Sequence, residues 1–140
     1  MSNYNPIYHT IWKSIRFNQL SVKSKYVLLY LLSNSNVTQT GIYSIMSKQI
    51  ACDVDLSIEE VEESLEELEA SLIIKYWQDK NIIFIRDNFR FARNMIKNSK
   101  ILDKIITSQR QLYNIPEMWE MFDSIYSVEL EVINKALMNH

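Results

Sequence analysis

Glycine is almost missing from this chain of 140 residues: it has one, alongside two prolines and one cysteine. A single glycine excludes the glycine-rich phosphate loops of Walker and dinucleotide sites, which need several at fixed spacing. So little glycine and proline also argues against long flexible linkers and for a chain dominated by helix. With Cys52 as the sole cysteine, no disulfide can close within the chain, and an intracellular, cytoplasmic setting is expected. The histidines, His9 and His140, stand at opposite chain ends, so no zinc-ligand spacing exists and no metal or other cofactor is expected. No apolar run approaches the ~18 residues of a membrane span. The start, M-S-N-Y-N-P, lacks the basic and apolar blocks of a signal peptide, so no membrane partner is expected.

What is present is a core former. Hydrophobic residues make up 47% and aromatics 11%, too much apolar content for disorder along the whole chain. The length suits one domain with a helical extension. The net charge of -2 conceals strong blocks. Residues 57–70 carry seven Glu and no cation, whereas residues 81–110 carry seven Lys or Arg against two Asp. Such blocks give a molecule electrical sides, which bear on partners more than the near-neutral total does.

The order of elements follows from local patterns. Residues 7–17 mix aromatics and aliphatics and predict a short strand or a helical turn. Ser21 is a candidate N-cap for a helix over 22–32 that is apolar nearly all round, and so predicted buried on most sides. After a polar loop ending at Gly41, residues 42–45 alternate as a short strand should. Ser47 can cap a short helix through Ala51. Ser57 with Glu60 forms a capping-box pattern, followed by Val61, Leu65, Leu68 and Leu72 on one helical face. Residues 73–77 and 82–86 are rich in β-branched and aromatic residues, with a hairpin turn over 78–81. Beyond Phe91 the pattern turns helical: Ile101, Leu102, Ile105, Ile106, Gln109 and Leu112 share a face, and Pro116 suits a first helical turn. Met118, Met121, Phe122, Ile125 and Tyr126 form the next apolar face; Leu130, Ile133 and Leu137 continue the period. Helix, short strand, helix, helix, hairpin is the order of a winged helix. The expected class is therefore mainly α with a small β-hairpin: a winged helix-turn-helix over 1–95 and a helical extension over 96–140.

The segments T-G-I-Y-S-I, S-I-E-E-V-E-E-S-L-E-E-L-E, I-I-K-Y-W and I-I-F-I-R-D-N-F resemble the N-terminal winged-helix domain of phage replisome organisers, which is similar to DnaD-type primosomal domains. The resemblance covers about residues 10–95, and N-F-R-F-A-R-N with I-P-E-M-W-E-M-F-D-S-I-Y resembles the helical tail of the same proteins. It implies a role at a phage replication origin in a host bacterium, through DNA, self-association and recruitment of a host helicase loader or helicase. At 140 residues, no counterpart of the larger C-terminal domain of longer members is expected in this sequence, which would read as a stand-alone module, an accessory factor or a truncated relative.

The residues themselves qualify this expectation. Glu59, Glu60, Glu62, Glu63, Glu66, Glu67 and Glu69 cover the outer face of the helix that a winged helix would place in the major groove. Phosphates would repel them. The run reads either as a solvated face or, at Glu59, Glu62, Glu63, Glu66 and Glu67, as a docking face for a basic protein. The Glu pairs lack the flanking groups of an acid/base site, so no enzymatic activity is expected. Candidate DNA contacts lie later, at Arg86, Arg90, Arg93, Lys97, Lys100, Lys104 and Arg110. Continuous helix would align Arg93, Lys97, Lys100 and Lys104 as one stripe of phosphate contacts with weak sequence preference. Phe89 and Phe91 could stack on unpaired bases or fill the core. Tyr76 and Trp77, near the hairpin turn, are expected to pack against the first helices. Trp12, Trp119, Met118, Met121 and Phe122 read as core or as a subunit interface, and a homo-oligomer is expected through the N-terminal segment or residues 118–126. Two alternatives stand beside the replication reading: an interaction module using the Glu helix without DNA, and a winged-helix transcription regulator.

Overall fold

A computed structural model describes residues 7–139; the first six residues, read above for leader character, and His140 lie outside it. A 3-10 turn, His9–Lys13, leads into α1 (Ile15–Asn18), α2 (Val22–Ser33), β1 (Ile42–Ser44), α3 (Ser47–Val54) and α4 (Ile58–Ala70). Then come β2 (Ile74–Trp77), β3 (Ile82–Ile85), α5 (Asn88–Met95), α6 (Ser99–Leu112), α7 (Pro116–Ile125) and α8 (Ser127–Met138). The chain is mainly helical with a small antiparallel sheet. Among the described residues no helix is long and apolar enough to cross a membrane.

The hairpin forms where expected, with Trp77 opposite Ile82 across residues 78–81. The short strand β1 joins it, pairing Ile42 with Phe84 and Ser44 with Ile82, so the sheet has three strands in the order β1-β3-β2. The strand β3 is therefore central, and all four of its residues are buried. They alternate between two cores. Ile83 and Ile85 face Val27, Leu31, Val61, Leu65 and Leu68 of α2 and α4. Ile82 and Phe84 face Phe89, Leu102, Ile106, Met118 and Phe122 of the C-terminal helices. The sheet is thus the middle layer, and the extension is its second cover. An uninterrupted I-I-F-I run is what a strand covered on both faces requires.

The sole glycine sits where no other residue fits. Gly41 has φ +79, and a Cβ there would lie 2.5 Å from the Ile85 carbonyl oxygen. Its own carbonyl accepts from the Ile85 N–H at 2.8 Å, extending the β1–β3 ladder. Elsewhere the chain makes left-handed turns without glycine. Asp55 and Leu72 take φ 59 and 61 just past α3 and α4. After α4 the Leu72 N–H donates to Glu69 and the Ile73 N–H to Leu68, closing a Schellman motif.

Several local expectations are corrected. Leu72 is not on the buried face of α4; it lies past the helix end and is half-exposed. The helix α2 buries Ser24, Val27, Leu28 and Leu31 and packs Tyr30 and Leu32 partly against the same core, but Val22 and Tyr26 leave an open strip. Ser47 is the first residue of α3 and does not cap it; Met46 holds the cap position without a side-chain bond. Over residues 7–17, where a short strand or a helical turn is expected, the helical alternative holds, as the 3-10 turn His9–Lys13 and the start of α1. On α6 only Leu102 and Ile106 are buried; Ile101 and Leu112 are exposed. By contrast, the Ser57–Glu60 capping box and Pro116 at the start of α7 are as the pattern predicts.

Candidate nucleic-acid interface

The basic segment begins at the end of β3 and does not form one helix. The helix α5 stops at Met95, Ile96 is extended at φ -101 and ψ 109, and α6 starts at Ser99. Asn98 fixes the restart: its side-chain oxygen accepts from the Lys100 N–H at 2.9 Å and the Ile101 N–H at 3.2 Å. The predicted stripe through Arg93, Lys97, Lys100 and Lys104 is therefore broken, because Lys97 lies outside both helices. An asparagine N-cap ahead of an apolar-periodic run was the sequence signal for this break.

Two of the four arginines are paired within the chain, and the other two are half-buried. Arg90 bonds Asp87 at 3.3 Å, and its guanidinium lies over the Tyr126 ring. Arg110 pairs with Asp123 and sits 4.7 Å from the centre of the Trp119 ring. Arg93 is half-buried, with its Nε covered and without a hydrogen-bond partner. Arg86 is also half-buried, and its carbonyl accepts from the Tyr126 hydroxyl. Lys97, Lys100 and Lys104 differ: all three are exposed, and none makes a salt bridge among the described residues. Lys97 and Lys100, with Asn98 and Ser99, line an open groove closed by Ala136 and Leu137 of α8. Lys100 and Lys104 are one turn apart on α6, and Thr107, Ser108 and Gln111 continue the same exposed face. That face can meet successive phosphates with the Lys100 and Lys104 ammonium groups and the Thr107 hydroxyl; the Ser108 hydroxyl donates to the Lys104 carbonyl at 2.8 Å.

The aromatic candidates are not available to bases. Phe89 is fully buried and packs at 5.2 Å from Phe122 and 5.0 Å from Tyr126. Phe91 is half-buried and stacks on Tyr8 at 4.5 Å. Tyr76 is buried and donates its hydroxyl to the Ile45 carbonyl at 2.9 Å, while Trp77 packs in the second core. Met118 and Phe122, read from the sequence as core or as a subunit interface, are fully buried inside the chain, and Met121 is half-buried beside them. The apolar face of α7 is spent on the sheet.

The Glu helix divides into two sets. Glu67 accepts from the Ser21 N–H at 2.9 Å, the Ser21 hydroxyl at 2.7 Å and the Ser24 hydroxyl at 2.6 Å. It thus ties α4 to the start of α2, where a carboxylate also meets the positive end of the helix dipole. The hydrogen bonds from Ser24, then Ser21, hold its carboxyl below the usual range. Glu60 pairs with Lys23 and closes the capping box; those bonds, the Lys23 one largest, lower its pKa to about 2. Glu69 reaches Lys75 at 3.2 Å. Glu67 is therefore removed from the candidate docking set. Glu59, Glu62, Glu63 and Glu66 remain, without a salt bridge among the described residues and on one face at i, i+3, i+4 and i+7.

Comparison of the chain with protein-family models, curated proteins and solved structures gave no match.

Proposed function

We propose that this chain is a non-enzymatic DNA-binding protein of phage-type replication initiation, built on a winged helix. It would hold DNA through the lysine face that follows the wing, and assemble with itself or with host replication proteins such as a helicase loader. The observation that carries the reading is the pairing of charges. Lys97, Lys100 and Lys104 are exposed and make no salt bridge among the described residues, while the other cations of the segment are half-buried or paired within the chain. The element order and the β1-β3-β2 sheet support the winged-helix part of the proposal. The four unpaired carboxylates on α4 argue that DNA would not be read by the helix ahead of the wing.

Binding should be weak in sequence preference and steep in salt. Three phosphate contacts on duplex DNA give a slope of log K against log salt of about -3. Fluorescence anisotropy with single- and double-stranded oligonucleotides at two salt concentrations tests this. Lys97→Glu with Lys100→Glu should weaken binding at least several-fold, whereas Glu62→Gln, Glu63→Gln and Glu66→Gln together should leave it unchanged or tighten it. The reverse pattern would make α4 the recognition surface. Absence of binding at any salt would leave the second reading, a module that captures a basic protein through Glu59, Glu62, Glu63 and Glu66, which the shared face of those carboxylates favours.

A further inference from the structure

We infer that copies of this chain associate head to tail, the acidic face of α4 on one copy docking against the lysine face of α6 on the next. The inference does not depend on DNA binding, although DNA and a second copy would compete for the same lysine face, and it uses neither of the surfaces that the sequence suggested for self-association. The two faces lie on opposite sides of the molecule. The apolar side of α4 packs through Val61, Leu65 and Leu68 into the core on one face of the sheet. That of α6 packs through Leu102 and Ile106 into the core on the other. The outer side of α4 presents Glu59, Glu62, Glu63 and Glu66; that of α6 presents Lys100 and Lys104, with Lys97 just ahead. Within one chain the sheet layer separates the two sets. Between two chains they are complementary in sign: Glu59 to Glu66 advances seven helical steps, ~10 Å, and Lys100 and Lys104 stand four steps, ~6 Å, apart on α6 with Lys97 ahead of its cap.

An apolar contact is available to each face. Ile58 is 41% exposed at the start of α4, and Ile101 is 49% exposed beside Lys100. Like-to-like pairing would set carboxylates against carboxylates, so a two-fold dimer through either face is disfavoured. Two faces on opposite sides of a rigid layered domain cannot both be satisfied in a pair. The contact is heterologous and propagates.

The test is sedimentation velocity of the full chain, without nucleic acid, over a range of concentrations. At ~20 mM salt, where the Debye length exceeds the spacing of the charges, the weight-average mass should at least double with concentration and show no plateau at the dimer. At ~500 mM it should return to that of the monomer. Glu62→Lys with Glu63→Lys, and separately Lys100→Glu with Lys104→Glu, should each abolish association. Mixing these two variants should restore it, because both contacts are then complementary again, and this recovery rules out misfolding as the cause of the losses. A monomer at every low-salt concentration overturns the inference. So does association that survives either double substitution, or a mixture that stays monomeric. The oligonucleotide measurement is separate, so failure of one reading leaves the other standing.

Discussion

Gly41 shows how one residue can hold a sheet together. Its positive φ and the 2.5 Å approach to the Ile85 carbonyl leave no room for a side chain. Gly41→Ala should therefore cost at least about 2 kcal/mol, through left-handed strain and displacement of the β1–β3 ladder, read as a lower urea midpoint. Glu67 acts between helices. Its folded pKa lies below the unfolded value, so its stabilisation is complete above ~4.3 and is lost as pH falls through the folded value. Glu67→Gln should destabilise the chain by about 1 kcal/mol at neutral pH, a charged hydrogen-bond value discounted for solvent screening. The difference from the parent should be smaller in acid, once pH has fallen through the folded value and the carboxyl is neutral like the amide, than at neutral pH. Urea titrations at the two pH values measure it; an unchanged difference would place the effect in packing and not in charge.

At the scale of elements, α4 has two jobs on two sides. Val61, Ser64, Leu65 and Leu68 are buried, and its outer side carries Glu59, Glu62, Glu63 and Glu66, which make no salt bridge among the described residues. The break between α5 and α6 matters as much, because it decides which cations share a face. Asn98 satisfies two N–H groups at the restart of α6. Asn98→Ala should lower stability by about 1 kcal/mol, and Asn98→Asp should keep the cap. Thermal melts of the two variants distinguish loss of the cap from loss of the amide. Since Lys97 and Lys100 flank this cap, Asn98→Ala should also weaken oligonucleotide binding, and Asn98→Asp should weaken it by adding a negative charge between them.

At the scale of the whole molecule, the boundary expected near residue 95 runs through a shared core. Ile42, Ile82, Phe84 and Phe89 pack against α6, α7 and α8, and the Tyr126 hydroxyl donates to the Arg86 carbonyl. Removing residues 96–140 would expose those four side chains. At ~1.5–3 kcal/mol each, this loses on the order of 6–12 kcal/mol, comparable to the whole stability of a domain this size. The fragment 1–95 should therefore show no cooperative thermal transition. A sharp melt near that of the full chain would mean that the first core is sufficient.

Local chemistry fixed much of this protein in advance. Periodicity located α4, the capping box set its start, and β-branched runs around a polar turn made the hairpin; each is a contact between near neighbours in sequence. The Asn98 cap was legible by the same rule but lay inside a run of basic residues that read as one stripe. What stayed hidden were partnerships between distant residues. Nothing local tells that Glu67 would meet Ser21 and Ser24 while Glu63 makes no salt bridge among the described residues, or that Arg110 would find Asp123 while Lys104 makes none there. Met118 and Phe122 have the same pattern whether they face a second subunit or their own sheet, because apolar periodicity states that a face is covered and not by what. The sequence by itself determined the elements and the sign of charge each one carries. Only the tertiary structure decided which charges are neutralised and which face outward, since that depends on groups brought together across the sheet.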